Sequence, residues 1–123
     1  MVVRGIRGAA VSPTDTSADI LQTTSNLLLA MQNANTGLDP ADVASIYFTT
    51  TPDLTATFPA YAARQIGWTD VPLLGAQELP VPGSLPRCIR ILIHWNTDLT
   101  QNQINHVYLG EASQLRPDLS NPK

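Results

Sequence analysis

The sequence predicts an α+β fold, a mixed β-sheet packed with helices, in one domain that spans residues 1–123. Three observations support this prediction. Segments 2–11, 44–50 and 88–95 have the composition of β-strands, and apolar residues between 15 and 33 recur at helical spacing. The chain is also 43% apolar, which suffices for one hydrophobic core but gives little support to two.

The first strand is expected from Val2 to Val11. Gly5 and Arg7 lie two residues apart and therefore face the same side of this strand. Because a glycine has no side chain, it leaves open space beside its neighbour. The pattern favours a ligand position next to Arg7.

The helix that follows is expected to run from 15 to about 33, with Asp15 or Thr16 as its N-cap. Asn35-Thr36-Gly37 ends the helix, and Asp39-Pro40 begins a short turn. An amphipathic helix of this kind covers a sheet with its apolar face. That face comprises Ile20, Leu21, Thr24, Leu27, Leu28 and Met31.

Proline and glycine divide the middle of the chain into short elements. Pro59 begins a short helix that carries Arg64 and ends at Gly67. Residues 71–74 are a candidate short strand. Residues 79–86 include three prolines and one glycine, which predicts a stiff loop.

The clearest strand runs from Cys88 to Trp95. It is apolar on both faces apart from Arg90 and His94, a pattern that predicts a central strand covered on both sides.

Short elements complete the chain. A helical turn is expected near 101–104, a strand at 106–109 and another short segment at 111–115. The tail, residues 116–123, is expected to be flexible.

Arginine dominates the basic residues of this chain, and its single lysine is Lys123. A guanidinium binds carboxylate or phosphate through paired hydrogen bonds and stays charged when buried. The bias therefore indicates anion recognition. The six arginines are Arg4, Arg7, Arg64, Arg87, Arg90 and Arg116. Two of them, Arg7 and Arg90, lie within aliphatic strands, whereas Arg4 and Arg87 lie three residues earlier and are expected to be structural or interfacial.

Charge and cysteine content narrow the class of protein. A net charge of −3 and a pI near 5.0 argue against nucleic-acid binding. No apolar run approaches the ~18 residues of a membrane span. Cys88 is the only cysteine, so no internal disulfide forms; we expect a cytoplasmic protein in which Cys88 is a small core residue. Two histidines and one cysteine make a poor metal set, so no metal site is expected.

The low charge content, 14% of residues, predicts that part of the surface is buried in an oligomer.

Arg90 has an interpretation that requires no function. It shares a strand face with Cys88 and Leu92 and therefore points into an apolar layer. An internal ion pair with Glu78 would satisfy it there.

The same reservation applies to the other polar strand residues. Arg7 could pair with an internal carboxylate, and Tyr108 could be an ordinary half-buried aromatic. His94 and His106 are interpreted as structural, because neither has a nucleophile and a carboxylate close in sequence.

Taken together, the polar segments resemble, in order and spacing, the monofunctional chorismate mutases of the trimeric pseudo-α/β-barrel class. The resemblance covers nearly the whole chain. The segments that carry it are Arg4-Gly5-Ile6-Arg7-Gly8-Ala9, Thr51-Pro52-Asp53-Leu54, Phe58-Pro59-Ala60, Ala63-Arg64, Gln77-Glu78, Cys88-Ile89-Arg90, Asn96-Thr97-Asp98, His106-Val107-Tyr108-Leu109 and Leu115-Arg116-Pro117-Asp118-Leu119.

This resemblance implies a homotrimer of α+β subunits whose active sites lie at the subunit interfaces. It implies the Claisen rearrangement of chorismate to prephenate, in phenylalanine and tyrosine biosynthesis, without a cofactor. Arg90 would contact the ether oxygen of the breaking bond and Glu78 the ring hydroxyl. Arg7 and Tyr108 would hold a substrate carboxylate and its surroundings.

Further substrate contacts follow from the same resemblance. Arg64 would be presented at the cleft mouth by a neighbouring subunit, with Phe58 as a nearby apolar wall. Leu115 and Arg116 belong to the C-terminal segment that helps to close such sites.

The chain departs from the family pattern at two places. Tyr61 stands where the family often has a lysine, which removes one cation from the cleft entrance. Gly75, with Leu74 beside it, stands where some members have a polar or thiol contact to the substrate hydroxyl. Glu78 is therefore expected to depend on backbone donors or water.

Two alternatives remain open at this level. One is a trimeric imine deaminase, which would need a positioned water for which no motif is found. The other is a non-catalytic trimer that senses a carboxylate of the aromatic pathway, an alternative that Tyr61 and Gly75 keep open.

Overall fold

In a computed structural model, which describes residues 1–116, five strands form one mixed sheet in the order β3-β2-β4-β1-β5. β4 is antiparallel to both β1 and β2, whereas β3 is parallel to β2 and β5 is parallel to β1. The prediction of a mixed sheet with a central fourth strand is confirmed. The strands are β1 (Val2–Val11), β2 (Val43–Thr50), β3 (Leu73–Gln77), β4 (Cys88–Thr97) and β5 (Val107–Tyr108).

Within the described range, two α-helices accompany the sheet, α1 (Ser17–Ala34) and α2 (Tyr61–Gln65). Short 3-10 helices occupy Pro40–Asp42, Gln101–Gln103 and Gly110–Gln114. Most predicted elements are therefore present, but the short strand predicted at 71–74 begins later, at Leu73, and extends to Gln77. Of the tail predicted to be flexible, only Arg116 lies within the described residues.

Thr16, rather than Asp15, is the N-cap of α1. The Asp19 N–H donates to the Thr16 hydroxyl oxygen at 3.3 Å. The Asp15 carboxylate instead accepts from the backbone N–H groups of Thr55 and Ala56, at 2.9 and 3.1 Å, and from the Thr55 hydroxyl. These hydrogen bonds lower the pKa of Asp15, and the bond from the Thr55 N–H has the largest effect. They also connect the start of α1 to the loop after β2.

The main core lies between α1 and one face of the sheet. Leu27 and Met31 of α1 are fully buried against it, together with Ile6 and Ile93. Gly8 permits this close approach, because a Cβ atom at that position would lie 2.4 Å from Met31 Sδ. Helix and sheet therefore meet at a point where only glycine fits without rearrangement.

In residues 1–116, much of the opposite face of the sheet is left open. Along β4, Ile89, Ile91 and Ile93 are buried, whereas the Arg90 side chain between them is 47% exposed. Tyr47 of β2 and Leu74 of β3 are 46% and 60% exposed. The prediction that β4 is covered on both sides, with Arg90 buried in an apolar layer, is therefore wrong for the part of one chain that the structure describes. We call this surface the open face.

Candidate active site

A cleft of about 310 Å³ lies on the open face, where β1, β2, β4 and β5 meet the segment after the last 3-10 helix. Three arginines and one glutamate line it, so its formal charge suits an anionic ligand. The lining residues are Arg7, Gly8, Tyr47, Thr49, Glu78, Arg90, Ile91, Leu92, Tyr108, Leu115 and Arg116.

Arg90 and Glu78 are paired within this cleft. Arg90 Nε lies 3.5 Å from Glu78 Oε2. Glu78 follows β3 directly, and its N–H donates to the Thr50 carbonyl at 2.8 Å, which fixes the backbone there. The Thr49 hydroxyl donates to Glu78 Oε2 at 2.5 Å. The expectation that Glu78 depends on backbone donors or water is therefore wrong, because a side chain of β2 supplies the hydrogen bond.

The backbone just before β4 is anchored at Arg87, three residues before Arg90. Arg87 has a left-handed backbone with φ of +49°, and its N–H donates to the Asp53 carboxylate at 2.9 Å. The Thr51 hydroxyl donates to the same carboxylate at 2.5 Å. Although partial burial raises the pKa of Asp53, these hydrogen bonds outweigh it, so the pKa is lowered overall. The ionised carboxylate thus stabilises the unusual backbone that leads into β4.

Cys88 lies under the cleft rather than in it. It is buried with Ala9 and Ala112, and Tyr108 and Leu115 pack against this cluster. Burial raises the pKa of the Cys88 thiol, although the charge of Arg90 opposes the shift. The interpretation of Cys88 as a core residue is confirmed.

Arg7 and Tyr108 are brought together by the pairing of β1 with β5. Gly8 and Ala9 pair with Val107 and Tyr108, so the exposed Arg7 side chain and the half-buried Tyr108 lie at one edge of the cleft.

Two other arginines hold the chain together outside the cleft. Arg4 Nε donates to the Leu99 carbonyl, and Arg87 Nε donates to the Ser12 carbonyl, each at 2.9 Å. Their predicted structural role is consistent with these bonds.

A second group of predicted site residues lies away from this cleft. Phe58 is 66% exposed, and its ring packs edge-on against Tyr61 with ring centres 5.5 Å apart. The Arg64 guanidinium lies 5.8 Å from the centre of the Tyr61 ring. Phe58 and Gly75 line a second cavity of about 470 Å³, while Arg64 and Leu74 line neither cavity.

The structure therefore divides the predicted set in two. One chain brings six members into the first cleft and leaves Phe58, Arg64, Leu74 and Gly75 outside it. The six in the cleft are Arg7, Glu78, Arg90, Tyr108, Leu115 and Arg116.

Sequence reasoning missed Tyr47 and Thr49, which line the cleft from β2. Their signal was the period of two in that strand, where they alternate with the buried Ile46 and Phe48. Within residues 1–116, no group of three or more histidine, cysteine or acidic side chains could hold a metal ion. None of the helices in that range is long and apolar enough to cross a membrane.

The fold and the cleft define a small α+β protein with a paired arginine and glutamate in a cleft whose formal charge suits an anionic small molecule. Comparison with known proteins identifies the family. A family model described as chorismate mutase type I matches residues 3–119, and the chain belongs to this family.

Individual relatives agree with this assignment. The chain is 57% identical to the chorismate mutase AroH of Thermus thermophilus over 118 residues, which are 96% of this chain and 97% of the relative. It is 46% identical to the chorismate mutase AroH of Bacillus subtilis over 121 residues, 98% of this chain and 94% of the relative. A solved chorismate mutase from Clostridium thermocellum superposes with a TM-score of 0.87 at 46% identity, covering 89% of this chain and 97% of that one. These matches do not favour the deaminase or sensor alternatives.

Proposed function

We propose that this protein is a monofunctional chorismate mutase that converts chorismate to prephenate in aromatic amino acid biosynthesis. The observation that carries the proposal is the pairing of Arg90 with Glu78 in a cleft that also holds Arg7 and Tyr108. Family membership supplies the reaction, and the cleft supplies groups that suit it.

Charge separation in the transition state assigns the roles of the pair. As the carbon–oxygen bond lengthens, negative charge develops on the enolpyruvyl oxygen and positive charge on the ring. Arg90 donates to that oxygen and Glu78 stabilises the ring through its hydroxyl. A preorganised donor of this kind contributes about 10²–10³ in kcat, and more when it is charged. The reaction needs no nucleophile, so the side chains of the cleft suffice.

The remaining groups position the substrate. Chorismate is a flexible dicarboxylate that must adopt a compact conformer before it reacts, and orientation of this kind accelerates a reaction strongly. Arg7 holds one carboxylate beside Tyr108. Leu115 and Arg116 close the cleft from the C-terminal side. The three arginines and one glutamate that line the cleft carry a formal charge of +2, which balances a dianion.

We further propose that the protein acts in the cytoplasm as a homotrimer in which a pseudo-α/β barrel forms and each active site spans two subunits. Phe58, Arg64 and Gly75 would then complete the cleft of a neighbouring subunit, while Leu74 would pack in the interface. The exposure of Leu74 and Tyr47 on the open face and of Phe58 supports this assembly, because large apolar residues in such numbers mark an interaction surface.

The direct test is an assay of purified protein with chorismate alone. We expect loss of the chorismate absorbance and stoichiometric formation of prephenate, trapped by acid conversion to phenylpyruvate. The Arg90→Ala variant, purified in the same way, serves as the control for contaminating activity. Binding of chorismate without turnover at high protein and substrate concentrations would refute the catalytic function.

A further inference from the structure

The edge of β1 that carries Arg7 is held by side chains rather than by a strand. β5 pairs with β1 at Gly8 and Ala9. Further toward the N-terminus, the Gln101 amide donates to the Gly5 carbonyl at 2.7 Å and accepts from the Gly5 N–H at 3.1 Å. The Arg7 N–H donates to His106 Nδ1 at 2.9 Å. The side chains of Gln101 and His106 therefore take the place of a paired strand beside Arg7, the residue proposed to bind a substrate carboxylate.

The bond from Arg7 defines the state of the His106 ring. Nδ1 can accept a hydrogen bond only when it carries no proton, so the neutral ring must hold its proton on Nε2. Protonation of Nδ1 would remove the acceptor and place a cation beside two arginines. Burial first, then the charges of Arg7 and Arg116, lower the pKa of His106 below its ordinary value of 6.5 and so favour the neutral form.

We propose that His106 is a positioning residue for the reaction: its neutral Nδ1 holds the Arg7 backbone, so that the Arg7 guanidinium meets the substrate carboxylate. This inference rests on the proposed function. His106 also lies two residues before Tyr108, so a single segment positions Arg7 and presents Tyr108 to the same cleft.

The groups around His106 are consistent with a single relevant titration. Arg7 on β1 and Arg116 after the last 3-10 helix supply the charges that influence it. Gln101, which lines a small cavity together with His106 and both arginines, is neutral. Asn105, the residue before His106, also has a neutral contact at the end of α1. The Asn35 side chain donates to the Asn105 carbonyl at 2.9 Å and accepts from the Asn105 N–H at 2.8 Å.

The proposal predicts an acid limb in the pH profile. Because the folded pKa of His106 lies below 6.5, the ring is neutral at neutral pH and the bond from Arg7 is present. As the pH falls through that lowered pKa, Nδ1 gains a proton and the bond is lost. We expect kcat/KM to decline in this pH range, mainly through a rise in KM, because the enzyme binds the carboxylate of the ground-state substrate more weakly.

The test compares two substitutions of His106. In His106→Asn the Oδ1 atom takes the position of Nδ1 and accepts the same bond, but it does not titrate. In His106→Ala the acceptor is lost. Near neutral pH we expect KM to rise about tenfold in the alanine variant, with a smaller change in kcat, and to be restored by asparagine. Between about pH 8 and about pH 4.5, the asparagine variant should lack the acid rise in KM that the wild type shows.

Controls separate this inference from other effects. Thermal melting and size-exclusion chromatography confirm that each variant is folded, and Gln101→Ala, which disturbs the same strand edge without removing a titrating group, should keep the acid limb. Long-range ¹⁵N NMR of wild-type protein should show His106 with its proton on Nε2. Wild-type protein without mutase activity refutes the proposed function. Active wild-type protein refutes the role of His106 if its KM does not rise at acid pH, if the asparagine variant keeps that rise in KM, or if Nδ1 carries the proton at neutral pH.

Discussion

Arg90 Nε and Glu78 Oε2 face each other at 3.5 Å in a cleft that leaves both side chains partly exposed, 47% and 24% respectively. An ion pair this exposed contributes only about 0–1 kcal/mol to stability. Structural stabilisation alone is therefore a weak reason for placing one charge within the aliphatic strand β4 and the other directly after β3, two strands away in the sheet. Opposite charges that both remain accessible from one cleft are better suited to a ligand whose own charge separates as it reacts.

Thr49 is expected to orient Glu78. Thr49→Val keeps the shape of the side chain but removes the hydroxyl that donates to Glu78 Oε2. We expect kcat to fall about tenfold with a smaller change in KM, since a lost hydrogen bond to a charged group costs about 1.5 kcal/mol. Steady-state kinetics measure this. The control is Thr23→Val on α1, outside the cleft; equal effects of the two changes would contradict the role of Thr49.

Tyr61, which stands where the family often has a lysine, is expected to hold the Arg64 side chain in place. The Arg64 guanidinium lies 5.8 Å from the centre of its ring, and such a contact contributes about 0.5–1 kcal/mol at an exposed position. Tyr61→Leu should raise KM for chorismate about two- to fivefold with kcat nearly unchanged. Tyr61→Phe keeps the ring and should behave as wild type. If phenylalanine and leucine give the same KM, the ring has no such role.

Gly8 is expected to set the distance between α1 and the sheet. In Gly8→Ala the new Cβ would lie 2.4 Å from Met31 Sδ and 3.2 Å from Leu27 Cδ1. We expect a loss of about 1–3 kcal/mol in the free energy of unfolding, measured by denaturant titration at a fixed protein concentration. Gly5→Ala on the same strand is the matched control, because its Cβ would meet Leu92 Cδ1 at an ordinary 3.5 Å. Equal stability of the two variants would contradict this account of the packing.

The proposed shared active site can be tested by mixing inactive subunits. Arg90→Ala and Arg64→Ala remove residues that would enter one cleft from different subunits. Random reassembly of an equal mixture should restore intact sites at about a quarter of interfaces. Arg90 and Glu78 lie in the same cleft of one chain, so a mixture of Arg90→Ala with Glu78→Ala should stay inactive. Equal recovery of activity in both mixtures, or no recovery in either, would argue against a site shared between subunits.

The sequence predicted the elements of the fold well where the periodicity was strong. The positions of α1 and β4 follow from the spacing of their apolar residues, a local pattern that does not depend on the rest of the chain. The exposure of Arg90 did not follow, because an apolar pattern on both faces of a strand does not distinguish cover by the same chain from cover by another.

The candidate site was predicted in its charged residues but not in its supporting ones. Arg7, Glu78, Arg90 and Tyr108 came from the resemblance, whereas Thr49 depends on the lateral register of β2 against β4, which places it opposite Arg90. His106 was interpreted as structural for a related reason. Its contact with Arg7 joins residues 99 positions apart, a distance that no local pattern reports.

The central claim is that the positive charge of Arg90 stabilises the transition state. Replacement of Arg90 by citrulline keeps the shape and the Nε–H donor but removes the charge, and Arg4→citrulline is the control, since Arg4 donates to the Leu99 carbonyl outside the cleft. We expect kcat for chorismate to fall by about 10³ or more at position 90, with a much smaller change in KM, and to be unchanged at position 4. An unchanged kcat in the folded Arg90→citrulline protein would contradict the account.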